Sequence, residues 1–170
     1  LAVNKNILII SKPPESWWVK LSDFGISKRT EDGVALLSTV KGTLAYMAPE
    51  LLGFGQMGIE ITPRIEHAAD MWAMGEITFQ MLTKEPTFKN PGALLAYVQN
   101  SSNFPSNLLR TRGISDKALE FIQELMLPSP DRRLPAEKAL LHPWLEAHKA
   151  HALELSRGEV TGYPSILFPK

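Results

Sequence analysis

The sequence predicts a mainly α fold entered through a small β-hairpin, and three observations carry that expectation. Two short runs rich in β-branched and aromatic residues open the chain, Ile7 to Ile10 and Trp17 to Leu21. The stretch from Ala68 to Thr83 is apolar on nearly every side of a helix. Further segments place helix-start residues ahead of apolar positions at helical spacing, at Pro91, at Ser115-Asp116 and at Pro135.

Composition sets the outer bounds. The 170 residues include 18 basic and 18 acidic side chains, no cysteine and 44% hydrophobic residues, which suits one globular domain with a core of its own. Zero formal net charge argues against nucleic acid or an anionic membrane as the main partner, since both reward a basic excess. Without cysteine there is no disulfide framework, thiol catalysis or thiolate metal site. No apolar run, Ile7 to Ile10 included, approaches the roughly 20 residues of a membrane helix, and no secretory signal pattern is present. The chain opens on Leu1 instead of methionine, which suggests the later part of something longer.

The two opening runs are separated by Ser11-Lys12-Pro13-Pro14-Glu15-Ser16, and prolines cannot sit inside a strand ladder, so a hairpin follows. From Asp23 to Gly42 periodicity is lost and Gly, Ser, Thr and charge gather, as in a long surface loop, a length that calls for a function. Beyond the glycines of Gly53 to Gly58, the segment bearing Met71, Trp72, Met74, Ile77, Phe79, Met81 and Leu82 is the expected buried central helix, ended by Glu85-Pro86. Pro91 begins a shorter helix through Ala93, Leu94, Leu95, Tyr97 and Val98. Ser115-Asp116 supplies a capping oxygen and a first-turn acid for a helix through Leu119, Phe121, Ile122, Leu125 and Met126, which stops at Pro128. Pro135 suits the first position of a last short helix, with Ala136, Ala139 and Leu140 inward and an interruption at His142-Pro143 before Trp144. The tail from Ser156 shows no period and reads as irregular.

Three strings stand in order: Asp23-Phe24-Gly25, Ala48-Pro49-Glu50, and Asp70-Met71-Trp72-Ala73-Met74-Gly75. One tripeptide alone would arise by chance in about 2% of chains this long, but the ordered set is specific. Together they resemble the protein kinase family, with a DFG and an APE motif, and the likeness runs over residues 1–146 from the end of the catalytic loop to the last helices. The resemblance implies the C-terminal lobe of the kinase-like α+β fold, an activation segment over 23–50, and an irregular extension over 147–170.

Phosphoryl transfer needs little covalent help, so such an enzyme works by placing metal-bound phosphates in line with a hydroxyl. By the resemblance, Asp23 is the carboxylate ligand of Mg2+ and Asn6 the amide-oxygen ligand of the second ion, as suits a hard cation. Leu8 lies under the adenine ring of ATP, and Ser22 joins it beside Asp23 in the nucleotide-binding set. Thr43 hydrogen-bonds the catalytic groups, which favours the serine/threonine class, and Thr39 is the candidate phosphosite of an upstream activating kinase, set against a plain solvated hydroxyl pair with Ser38. Glu50 pairs with an arginine between the last helices, and spacing makes Arg133 the partner. Asp70, placed at the start of the central helix, accepts backbone hydrogens from the catalytic loop or serves simply as a helix-starting acid. His142, His148 and His151 read as structural or solvated, not as metal ligands, and Trp17-Trp18 as a strand and edge aromatic pair.

Departures from the family pattern are as informative. Counting back from Asn6, the general base falls on Leu1, which accepts no proton, and the phosphate-steadying lysine on Val3. Either the loop is degraded or a one-residue insertion puts an aspartate immediately before Leu1. No Gly-rich phosphate loop, strand lysine, paired helix glutamate or hinge occurs in the sequence. The expected function is therefore part of a serine/threonine protein kinase acting on protein substrates, inactive as this polypeptide alone. A pseudokinase scaffold is the alternative, and an unrelated helical interaction domain a weaker one. The resemblance and the lack of export signals lead to an expectation of cytoplasm or nucleus.

Overall fold

The computed structural model describes residues 7–12, 18–22, 44–54 and 63–146. The chain divides into two compact units, Leu1–Lys41 and Gly42–Lys170. The loop expected over 23–42, the glycines beyond Phe54, and the tail lie outside the described residues.

In the first unit β1 (Ile7–Ser11) pairs antiparallel with β2 (Trp18–Leu21), matching Ile7 with Leu21, Leu8 with Lys20 and Ile9 with Val19. The register shifts between Ile9 and Ser11, where Ser11 pairs with Trp18, so Ile10 is the extra residue of a bulge. β-branched side chains suit this pleated pairing. Leu8, Ile9, Ile10 and Val19 all remain exposed.

The second unit is helical, with α1 (Pro63–Thr83), α2 (Pro91–Gln99), α3 (Ser106–Thr111), α4 (Asp116–Leu125) and α5 (Ala136–Ala139). Short 3-10 turns lie at Leu44–Tyr46, Ser101–Asn103 and Pro130–Arg132. Two starts follow directly from local chemistry. Asn90 Oδ1 accepts from Ala93 N at 2.9 Å ahead of Pro91, and Ser115 Oγ accepts from Ala118 N at 3.3 Å with Asp116 in the first turn.

α1 begins five residues before Ala68, at Pro63, because Pro is favoured at a first helical position and Arg64 to His67, with Ile65 alone apolar, continue the helix. Its stop is Lys84, held at φ 62°, whose N–H donates to Gln80 O at 2.7 Å. That is a left-handed cap two residues ahead of Pro86. The helix buries one stripe, Trp72, Glu76, Phe79 and Thr83, against its neighbours, chiefly α4 and then the Leu44–Tyr46 and Pro130–Arg132 turns and α3. Met74 and Met81, on other sides, are 51% and 54% exposed, so the expectation of burial all round is corrected. Apolar character permits burial on every side, but burial itself requires a neighbour there.

α4 lies close to α1 at Gly75, where a Cβ would come within 2.4 Å of Met126 Cγ. Around this contact sits an aromatic cluster. Phe88 stacks on Tyr97 at 5.1 Å and on Trp72 at 6.1 Å, while Phe104 meets Tyr97 and Phe79 edge-on at 5.5 and 6.1 Å. Each such buried ring contributes roughly 1.5–3 kcal/mol by leaving water. The Tyr97 hydroxyl donates to Met126 O at 2.9 Å, and burial raises its pKa to about 12.

Two further differences from expectation concern the C-terminal segments. α4 ends at Leu125, capped by Met126 N–H, before Pro128 is reached. Of the three residues expected inward on α5, only Ala139 is buried; Ala136 and Leu140 are exposed. A helix of four residues offers one inward position, and the next is taken by His142, which packs on Phe121 at 5.0 Å.

Candidate functional site

The best-defined polar constellation is built around Arg133, which follows the Pro130–Arg132 turn. Its Nη1 donates to Glu50 Oε1 and its Nη2 to Glu50 Oε2, both at 2.6 Å. Nη1 also donates to Ala68 O at 2.8 Å, Nη2 to Pro128 O at 3.2 Å and Nε to Leu127 O at 2.8 Å. All five guanidinium N–H groups are thereby used. The two side chains are only 1% and 3% exposed, and the guanidinium carbon lies 5.2 Å from the Trp72 ring centroid.

Glu50 is presented by a tight turn. Leu51 N donates to Ala48 O, Leu52 N and Phe54 N to Pro49 O, and Gly53 takes φ 74°, a left-handed conformation that suits glycine. Ala48 and Pro49 are buried beneath it. The Ala-Pro-Glu string, α1, the end of α4 and the segment before α5 therefore meet at one side chain, 83 residues from Glu50 in sequence. A fork-to-fork pair with every donor satisfied is the geometry in which burying two charges is tolerated. An open cleft of about 800 Å3 lies beside it, with Met71 and Leu134 among its apolar walls and His67, Glu124, Arg132 and Lys138 among its polar ones.

A second polar chain crosses the interior. The Tyr46 hydroxyl donates to Gln80 Oε1 at 3.0 Å, and Gln80 Nε2 donates to Glu76 Oε1 at 2.7 Å. Thr87 N donates to the same Glu76 oxygen at 3.1 Å. Glu76 is 1% exposed, and burial raises its pKa above the usual value of 4.5 despite the bonds from Gln80 and Thr87 that oppose the rise. Sequence reasoning did not single out Glu76, Gln80 or Tyr46. The one available signal was an acid inside an otherwise apolar helical stretch.

The remaining candidates fall out as follows. Asp70 is exposed and lies in the third turn of α1, so it is not a helix-starting acid. Leu8 is 45% exposed on β1, and Ser22 is half-buried just after β2. Because Ile7 pairs with Leu21, the strand ends next to Asn6 and Asp23 in sequence are paired with each other. Asn6 and Asp23 themselves, with Leu1, Val3, Ser38, Thr39 and Thr43, lie outside the described residues, as do Trp17, His148 and His151. His142 is buried, with Nδ1 accepting from Trp144 N at 3.2 Å. Among the described residues no group of three metal-ligating side chains occurs, and no helix is long and apolar enough to cross a membrane.

Comparison with known proteins covers nearly the whole chain. A family model described as the protein kinase domain matches residues 4–145. A probable serine/threonine-protein kinase fhkC of Dictyostelium discoideum is 30% identical over 94% of this chain and 26% of its own length. Serine/threonine-protein kinase RAD53 of Saccharomyces cerevisiae is 34% identical over 83% of this chain and 18% of its own. The crystal structure of the Rad53 kinase domain and SCD2 in complex with AMPPNP superposes with a TM-score of 0.58 at 31% identity, over 83% of this chain and 47% of that one. The chain thus spans about a quarter or less of these two curated relatives.

Proposed function

The chain belongs to the protein kinase family, and on that premise we propose that it is part of a serine/threonine protein kinase that moves the γ-phosphoryl group of ATP to serine or threonine hydroxyls of proteins. The observation that carries this reading is the buried bidentate pair of Glu50, from the Ala-Pro-Glu string, with Arg133. Its supports are the match over residues 4–145 and relatives named as serine/threonine kinases.

In this reading Asp23 and Asn6 would hold Mg2+; one carboxylate and one amide oxygen are the hard donors that ion prefers. The ions would neutralise charge developing on the transferred phosphoryl group. The pairing of Ile7 with Leu21 is compatible with both donors serving one site. Leu8 supports the adenine ring, Ser22 contributes to the nucleotide side, and Thr43 orients the groups around the acceptor hydroxyl. The segment 23–50 receives the protein substrate, with Thr39 open to an activating kinase. Asp70 on α1 holds catalytic-loop backbone. The neighbour bound to AMPPNP supports ATP as the nucleotide. For the protein as a whole an intracellular, cytoplasmic or nuclear setting is proposed with this activity.

A second reading, a pseudokinase that scaffolds partners, is favoured by Leu1 and Val3 at the general-base and lysine positions. The 170 residues alone are proposed to bind ATP weakly and to transfer no phosphate. The test is magnesium-dependent transfer from ATP to a protein substrate, run on the full-length polypeptide, on its Asp23→Asn variant and on the 170 residues alone. Transfer by the full-length form only, lost in the variant, supports the enzyme. No transfer by a well-folded full-length form favours the scaffold, and transfer by the 170 residues overturns the inactivity proposal.

A further inference from the structure

A carboxyl group deep in the second unit is left over once the kinase reading has taken its residues. Glu76 lies on the buried stripe of α1 at 1% exposure, one turn from Trp72, with no salt bridge among the described residues. An isolated carboxylate in such a place is costly, and the group either finds a cation or keeps its proton.

Burial favours the proton and outweighs the hydrogen bonds, which act the other way. Gln80 is oriented from both sides: its Oε1 accepts from Tyr46, so its Nε2 is the end that faces Glu76. Gln80 Nε2 and Thr87 N both donate to Glu76 Oε1, which leaves Oε2 as the oxygen free to carry a hydrogen in the neutral form. The Thr87 hydroxyl, for its part, donates to Met126 Sδ at 3.8 Å.

Among the described residues no charge approaches from the packed elements to favour the ionised form. The end of α4 presents Leu125 and Met126 at Gly75, and the Leu44–Tyr46 turn presents Tyr46, through Gln80. In the segment after α1, Lys84 is exposed, and Glu85 pairs with Lys89 and with Arg112 beyond α3. Arg133 beyond the Pro130–Arg132 turn is committed to Glu50 and backbone carbonyls.

We propose that Glu76 is a proton-linked latch: its neutral carboxyl ties the Tyr46 turn, α1 and the Thr87 segment together, and its ionisation loosens the Thr87 segment to admit water. The inference does not depend on whether the chain transfers phosphate. Its sign follows from the raised acid: once opened, the group reverts toward the usual value of 4.5, so the open state sheds the proton first. Opening is therefore favoured as pH rises from that value and levels off above the folded-state pKa.

The test is hydrogen exchange at the Thr87 amide, corrected for intrinsic rate, together with the side-chain carboxyl carbon shift of Glu76, followed from acid to neutral pH. The expected result is Thr87 protection that falls roughly tenfold per pH unit over that window. Glu76→Gln should hold protection flat, and the Glu76 carboxyl should titrate above the usual glutamate range. Equal pH dependence in the two proteins, or a Glu76 carboxyl that titrates at the ordinary value, overturns the proposal. The carboxyl measurement needs no variant, so failure of Glu76→Gln to fold would still leave a decision.

Discussion

At the scale of single residues, two buried acids take opposite solutions. Glu50 is answered by the forked guanidinium of Arg133, whereas Glu76 meets only the Gln80 amide and the Thr87 N–H. The difference predicts how each tolerates change. Arg133→Ala leaves a desolvated carboxylate and should cost about 3–5 kcal/mol, read as a lowered denaturant midpoint. Glu50→Ala should cost a similar amount. Glu50→Leu combined with Arg133→Met should cost clearly less than the two alanine changes summed, because no orphan charge remains. The Glu50–Arg133 partnership was legible because both members sit in strings with fixed neighbours, the Ala-Pro-Glu run and the segment ahead of His142-Pro143-Trp144. Glu76 was not, since nothing local distinguishes a helical glutamate facing water from one facing Met126 and Thr87.

Helices and turns show the same division between local and distant causes. The starts of α2 and α4 could be read from proline, serine and aspartate, because capping is settled within four residues of chain. α3 was missed: its six residues begin after Pro105 without a side-chain cap, and among them only Leu109 is buried. Lys84 was missed as well, since lysine is an uncommon choice for a left-handed cap. Its φ of 62° carries strain that glycine would avoid, so Lys84→Gly should raise stability by about 0.5–1 kcal/mol. The measurement is thermal or denaturant unfolding; a destabilised variant would place an unrecognised contact on the lysine. The central helix was read correctly in kind and wrongly in extent and surroundings, because Met74 and Met81 announce compatibility with a core and not membership of it.

For the molecule as a whole, the described core belongs to the second unit. Trp72, Phe79, Tyr97, Phe104, Leu109, Ile122 and Leu125 are all drawn from it. A polypeptide of residues 42–170 should therefore keep its helical circular dichroism and unfold cooperatively, and a non-cooperative melt would show that the first unit is needed for the core. The mainly α class, the hairpin, the position of the central helix and the family were determined by sequence alone, because β-branched runs, helix caps and short motifs are encoded within a few neighbouring residues. Tertiary structure alone decided which side of α1 is covered, that Ala139 and His142 are buried while Leu140 is not, and that Glu76 is sealed from water. Burial is a property of what packs against a residue, and those partners stand up to tens of positions away in the chain.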